Sequence, residues 1–559
     1  MRKRAWTRFL FVVASAIIVG YLLSLLRLRV DLTEDRRYTL SPQTKEILSG
    51  LKSEVYIQVF LDGEMPVAFK KMRRSVRDIL DEFRLLSGRR IGYDFINPSA
   101  GGDQQQRNAR QLELINKGLS PVNVQAGDEE GGRTTRMIFP GMIINYNGIE
   151  VPVNFLKNNP ALPAEQNLLN SIEGLEYEMI QNIATLTSDT IYRVAFIEGH
   201  GELEEPEVAD ITLSLARFFT VDRGVIGGRP GILDNYAAII ISKPTLPFSE
   251  ADKFVIDQYI MNGGKVLWLT EEVYVDRDSL DFGETVAYYN PLSLGDQLFR
   301  YGARVNPVIV QDMECLRIPL KITSAGGQPQ IIPVPWPYYP LLVPSADHPV
   351  TRNLNRIKGE FVNTIDTVGL NPDVSKSILL TSSAYSRTVT PPVLISLSEA
   401  DRLPPAEVFG LAHIPVAVLL EGRFPSVFRN RIIPGVTEGR RITEQSVPTR
   451  MIVVADGDII RNEVTFSGGT EVPLTLGQDR YTMQTFGNKD FIINCMNWLV
   501  DDHGLIDLRS REMKLRLLNK EQVRQNLFLI RIVNLVAPLM LLALAGWLSH
   551  FLRKRRYSA

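Results

Sequence analysis

Any chemistry in this chain has to come from acids and one histidine at the ends of apolar stretches. Glu198 and His200 follow the apolar part of YRVAFIEGHGE, Glu271 and Glu272 follow KVLWLT, and Asp456 and Asp458 stand in VVADGDIIRN. Carboxylates and an imidazole converging on one crevice have the donor set for a divalent metal, a cationic group or a sugar. The same residues also have an ordinary structural use. Glycine in Asp-Gly-Asp and Gly-His-Gly supplies positive φ, and aspartate caps backbone amides, as strand-to-helix turns require. Both readings stand at this level. The remaining histidines, His348, His413, His503 and His550, stand singly, without metal-ligand spacing. GxxxxGK[ST], GxSxG and HExxH do not occur, which excludes a P-loop ATPase and the usual acyl-transfer elbow. The expectation is a chain that is not an enzyme, with no cofactor, no metal and no catalytic residue.

The elements that position these residues are apolar runs alternating with helical patterns. Strands are predicted at Arg193–Ile197, Ala237–Ser242, Lys265–Thr270, Val305–Val310, Ile378–Ser382, Val416–Leu420 and Met451–Ala455. Helices are predicted between several of them, at Pro206–Phe219, Ser249–Met261 and Pro291–Tyr301. Continuously apolar strands alternating with helices imply a doubly wound, mostly parallel sheet covered on both faces, with its chemistry at the carboxyl ends of the strands. Two inserts interrupt the pattern. Residues 331–349 contain VPWPYYP, whose prolines argue against helix and sheet interior and whose Trp336, Tyr338 and Tyr339 form a candidate contact surface. Residues 424–448, rich in Arg and Pro, suggest an exposed loop or lid. For either insert the alternative is a loop packed on the domain.

The first third has a different rhythm. Ser41 and Pro42 mark a helix start. A strand at Val55–Leu61, a helix at Val67–Ser87 and a strand in RIGYDFINP make a βαβ unit. Strands at Arg136–Tyr146 and Ile149–Phe155 then meet at Asn147-Gly148, a strong hairpin signal. A βαβ unit followed by a hairpin is the order of a thioredoxin-like domain, expected over 31–165, although without CxxC it has no redox nucleophile. A helix through Leu168–Thr187 lies within a connector over 166–190, ahead of an α/β domain at 191–502.

Two stretches read as membrane spans. Ile532–Leu552 is 21 residues without Asp, Glu, Lys or Arg, enough to cross about 30 Å of hydrocarbon. Phe9–Leu26 is a second uncharged run, preceded by Arg2, Lys3, Arg4 and Arg8 and lacking a small-x-small cleavage site, so it reads as an uncleaved anchor. Basic residues at both chain ends, including Arg553-Lys554-Arg555-Arg556, place residues 1–8 and 553–559 in the cytoplasm and the bulk of the chain outside it. Residues 503–531 are expected to be a helical linker at the membrane. With 45% hydrophobic residues the exported part can bury a sizeable core. A net charge of -1 gives no reason to invoke nucleic acid. Two cysteines, Cys315 and Cys495, are too few for a disulfide framework, and Cys495 in FIINCMNWLV reads as a core thiol.

Several blocks carry a family resemblance: DLTEDRRYTLSPQTKEIL, IEGHGE, NGGKVLWL, FVNTIDTV, VVADGDIIRNEV and GNKDFIINCMNWLVDDHGLIDLRSREMKLRLL. With them the chain resembles the gliding-motility-associated ABC transporter auxiliary family, GldG, often labelled substrate-binding. The resemblance implies a bacterial inner-membrane protein, largely periplasmic, working beside a GldF-type permease and a GldA-type ATPase in gliding motility or type IX secretion of the Bacteroidetes. It also implies a glutaminase-like α/β domain that has lost its nucleophile, in agreement with Thr270 and two glutamates in LWLTEEV. Membrane lipid and other periplasmic proteins are the further partners expected. Three functional classes remain: a non-catalytic ABC subunit, a periplasmic ligand-binding receptor, and an anchored hydrolase using Glu198, His200, Asp456 and Asp458.

Overall fold

The computed structural model describes residues 14–15, 40–101, 103–127, 133–157, 163–188, 191–322, 330–369, 371–400, 404–431, 433–436, 441–467, 470–501, 504–510 and 524–557. By its internal contacts the chain falls into two units, residues 40–511 and residues 1–39 together with 512–559. In the second unit a helix runs from Leu527 to Tyr557 with Pro538 inside it. Its stretch Leu527–Phe551 is long and apolar enough to cross a membrane, and Leu541, Leu542 and Trp547 are exposed. The other expected span, Phe9–Leu26, lies outside the described residues apart from Ala14 and Ser15, as does the middle of the expected linker, residues 511–523.

Residues 40–511 form a mixed α/β body. Its centre is a sheet with strand order Cys315–Ile322, Gln330–Pro344, Val374–Thr381, Pro415–Gly422, Thr449–Val454, Lys265–Leu269, Ala238–Ser242, Arg193–Glu198 and Thr220–Val225. The last five strands are mutually parallel, four of them at the predicted apolar runs and the fifth, Thr220–Val225, a polar edge strand the sequence reading did not include. The first four continue antiparallel, so the sheet is mixed rather than mostly parallel. Central strands are apolar at every position because alternate residues serve opposite faces. Phe196, Ile240, Leu267 and Val454 enter one core with the helix Asn488–Val500, whose Phe491, Ile492, Cys495 and Leu499 are buried. Ile197, Ile241, Trp268 and Val453 enter the other with the helices Glu250–Met261 and Gly295–Tyr301.

Two expectations fail at prolines. The run Val305–Val310 is not in the large sheet. It belongs to Ala303–Asp312, which pairs antiparallel with Asn363–Thr367 and Ser386–Val389. Its register slips between Asn306 and Ile309, around Pro307, which has no N–H to give a central ladder. Conversely, VPWPYYP lies inside the strand Gln330–Pro344. Pro333, Pro335 and Pro337 are two residues apart, so their missing donors fall along one edge, and over this stretch the strand pairs with Cys315–Ile322 and with no other strand among the described residues. The strand turns Trp336 into the interior and leaves Tyr338 and Tyr339 half-buried, so these rings do not form an exposed contact surface.

The βαβ unit and the hairpin are present as a four-stranded sheet, ordered Ile91–Phe95, Val55–Val59, Gly141–Tyr146 and Ile149–Asn154. Asn147 and Gly148 both have positive φ, the backbone of a tight hairpin turn. Ser41 Oγ accepts from the Thr44 amide at 2.9 Å and starts the first helix of this body. The connecting helix is broken at Gly174 into Ala164–Glu173 and Leu175–Thr187. Through Leu175, Met179, Ile180 and Ile183 the second piece joins the N-terminal sheet to the large sheet in one continuous core. The start of the 424–448 insert is packed, not a free lid: Phe424 and Phe428 are buried, and Asp257 accepts from Ser426 Oγ at 2.7 Å and the Val427 amide at 3.0 Å.

Leu267→Ala, in the centre of both this sheet and its core, is expected to destabilise the body by about 2–5 kcal/mol in urea unfolding of the full chain in detergent. Tyr288→Ala, half exposed on a peripheral strand, is expected to stay within about 0.5 kcal/mol of the unmutated chain.

Candidate functional site

Three adjacent parallel strands release their chains at the same end of the sheet. Ala238–Ser242 leads into Lys243, Lys265–Leu269 into Thr270, Glu271 and Glu272, and Thr449–Val454 into Asp456, Gly457 and Asp458. Glu271, Asp456 and Asp458 therefore meet: one oxygen from each lies within 4.8 Å of the others, and all three residues are buried. Three carboxylates at that spacing are the donor set of a hard divalent cation. Here a protein cation already sits among them. Lys243 Nζ pairs with Asp458 and lies 3.6 Å from Glu271. Lys243 takes a positive φ of 53°, unusual for a side chain of its size, and Gly457 packs flush against it. A Cβ on Gly457 would lie 2.5 Å from the Lys243 Cβ.

Other oxygens of the cluster are engaged as well. Asp458 Oδ1 accepts from Arg461 Nη1 at 3.3 Å, with Arg277 Nη1 at 3.7 Å. Asp456 accepts from the Glu360 amide at 3.1 Å and the Asp458 amide at 2.8 Å. Glu271 accepts from the Gly457 amide at 2.7 Å. Burial works against every one of these charges. For Asp458 the ammonium of Lys243 and the guanidiniums of Arg277 and Arg461 outweigh burial and hold its carboxyl well below the usual range. For Glu271 burial wins, despite Lys243, and raises it to about 7. Asp456, buried beside Glu271 and Asp458, is pushed well above the usual carboxylate range.

The other residues singled out by sequence go elsewhere. Glu272 turns away: its amide donates to Asn363 Oδ1 at 2.7 Å, and burial raises its carboxyl to about 7 against a hydrogen bond from Tyr289. Glu198 pairs with Arg223 on the neighbouring strand at 2.7 Å. His200 stacks on Phe248 at 3.7 Å between centroids, with Nδ1 3.0 Å from Glu202 and Nε2 3.3 Å from Asp252. Burial disfavours its charge, but the two carboxylates outweigh burial and raise its pKa. Neither Glu198 nor His200 bonds to the Glu271–Asp456–Asp458 cluster among the described residues. Thr270, where a nucleophile was sought, is buried, and its hydroxyl has no hydrogen-bond partner among the described residues.

Sequence reasoning passed over the cations. Lys243 ends an apolar strand as visibly as the acids do and was within reach of the strand-end argument. Arg277, Lys358, Glu360 and Arg461 carry no local signal. Glu360 is buried, 2.7 Å from Arg277 and 3.0 Å from Lys358, and Lys358 also pairs with Glu463. These groups line a cavity of about 270 Å³, whose wall also includes Trp336, Tyr339 and Tyr481. Trp336 and Tyr339, read from sequence as parts of a surface, are parts of this wall.

Lys243→Met leaves three buried carboxylates without their ammonium and is expected to cost about 3–5 kcal/mol near neutral pH. The loss should shrink on acidification, as the stranded acids take up protons, and urea unfolding across pH reads both effects. Glu272 has a different sign. Its folded pKa lies above the ordinary 4.5, so the fold binds the extra proton and stability falls as pH rises from 4.5 to about 7. Glu272→Gln is therefore expected to gain about 1–3 kcal/mol above pH 7 and almost nothing below pH 4.5.

Comparison with known proteins adds four findings. Residues 34–145 match a domain of unknown function (DUF7088). No curated protein matches the chain. Among solved structures, one described as the mmIFT52 N-terminal domain is 12% identical with a TM-score of 0.30, covering 56% of this chain and 98% of that one, a likeness too slight to carry an argument. Residues 192–495 match the family described as an ABC-type uncharacterized transport system, and since that is more than half of the 559 residues, the chain belongs to this family of ABC transporter auxiliary proteins.

Proposed function

We propose that this protein is a non-catalytic, membrane-anchored subunit of an ABC transporter complex, with its α/β body in the periplasm and both termini in the cytoplasm. The observation that carries the reading is the family match over residues 192–495, joined in one chain to the apolar helix stretch Leu527–Phe551. The site geometry agrees with a subunit that performs no reaction of its own. Asp458 is matched by Lys243, Arg277 and Arg461, Asp456 and Glu271 hold backbone amides, and Glu198 and His200 have separate partners. The triad of acids is engaged in holding strand ends together.

The finer assignment is to the GldG type, beside a GldF-type permease and a GldA-type ATPase in gliding motility or type IX secretion. It rests on the sequence blocks quoted above. On the same basis we read the four-stranded N-terminal sheet as thioredoxin-like and the larger sheet as a glutaminase-like domain without its nucleophile. Thr270, buried at the end of the strand Lys265–Leu269, supports the second point.

Mild-detergent extraction of the tagged full chain is expected to bring down an ABC permease and its ATPase in fixed ratio, read by mass spectrometry. Purification of the chain alone, without either subunit, contradicts the role. Labelling of single introduced cysteines with a membrane-impermeant maleimide is expected to mark the surface of residues 40–511 in intact spheroplasts. Labelling there only after lysis contradicts the periplasmic placement.

A further inference from the structure

The 270 Å³ cavity beside the buried ion network is placed where an open α/β sheet puts ligands, outside the carboxyl ends of its strands. Most of the charge in its wall is already matched. Arg277 and Lys358 pair with Glu360, Lys358 also with Glu463, and Arg461 pairs with Glu207 at 3.1 Å. Arg480 lies 3.6 Å from Glu463 and 4.8 Å from the Tyr481 ring centroid, and Asp479 accepts from the Thr482 amide and hydroxyl of its own turn. Two lining side chains of opposite sign are left over. Arg317 and Asp278 are both exposed, and neither forms an ion pair among the described residues. The same wall also offers aromatic and aliphatic surface from Trp336, Tyr339, Tyr481, Leu280 and Leu316.

We propose that this cavity binds a small zwitterion with an apolar side chain, a free amino acid or dipeptide, whose carboxylate pairs with Arg317 and whose ammonium pairs with Asp278. A guanidinium takes a carboxylate through two parallel hydrogen bonds, and an ammonium gains from both an aspartate and nearby aromatic faces. A polyanion meets Glu207, Glu360, Glu463 and Asp479 in the same wall, and a simple cation meets as many basic groups. A ligand carrying one charge of each sign suits the pair left over. The volume sits at the lower edge of the roughly 300–1,000 Å³ of drug-sized pockets, which suits a ligand of this class. The inference goes beyond the transporter-subunit role, and its failure leaves that role standing.

The test is calorimetric titration of the full-length chain in detergent with L-phenylalanine, 3-phenylpropionate, which lacks the ammonium, and 2-phenylethylamine, which lacks the carboxylate. L-Phenylalanine is expected to bind about tenfold or more tightly than either analogue. Arg317→Gln should lower it to the level of phenylethylamine, and Asp278→Asn to that of phenylpropionate. Both side chains are exposed and form no ion pair among the described residues, so these variants keep the fold, which thermal unfolding checks. Leu280→Trp, filling the cavity, should abolish binding. Equal binding of phenylalanine and phenylpropionate, binding that survives Leu280→Trp, or no heat from phenylalanine at millimolar concentration each overturn the proposal.

Discussion

An ammonium group held among three buried carboxylates is the constraint to which the centre of this molecule answers. Removing a charge from water costs far more than a fold can tolerate unless an opposite charge and hydrogen bonds meet it. Lys243 and Asp458 satisfy that condition only if the strands Ala238–Ser242, Lys265–Leu269 and Thr449–Val454 end level with one another. The positive φ of Lys243 and the lack of a side chain at Gly457 are local consequences, since the two backbones approach too closely for anything larger. Arg277 and Arg461 then bring the segments after the strands onto the same carboxylate, so the floor of the cavity and the end of the sheet are one assembly.

Around that centre, burial is arranged by alternation. Each of the four inner parallel strands sends one set of residues to the helix Asn488–Val500 and the other to the helices Glu250–Met261 and Gly295–Tyr301. The first of these cores continues without a break through the helix Leu175–Thr187 into the four-stranded N-terminal sheet. Residues 40–511 thus form one compact unit although the chain reads as two architectures in series. The polar hub at Asp257 has a similar effect on the second insert, which is held by buried hydrogen bonds and by Phe424 and Phe428.

For a member of an ABC transporter auxiliary family, this arrangement separates rigidity from recognition. The acids that looked chemically available make the sheet end rigid. The cavity next to them has a mixed wall of matched charges and aromatic rings, with an unmatched cation and anion.

Local pattern was enough for whatever depends on neighbours in sequence. Apolar runs located four of the five parallel strands and missed the polar edge strand Thr220–Val225, 3.6-residue periodicity located the helices Val67–Leu86, Glu250–Met261 and Asn488–Val500, and Asn147-Gly148 announced its hairpin, because backbone preference and burial periodicity are properties of short segments. The uncharged stretch near the C-terminus was legible for the same reason. Tertiary structure decided the rest. Which acids meet depends on strand order: Glu271 follows one strand and Asp456 and Asp458 follow its neighbour, with Gly457 between them 186 residues from Glu271 in sequence, whereas Glu198 lies two strands away and finds Arg223 first. Strand direction was equally hidden, since Pro415–Gly422 is as apolar as its parallel neighbours and runs the other way. The proline-rich strand was misread because its fate turns on which edge faces a partner. The cations Lys243, Arg277 and Arg461 take their meaning only from the carboxylate they surround, and a buried charge finds its counter-charge across space, not along the chain.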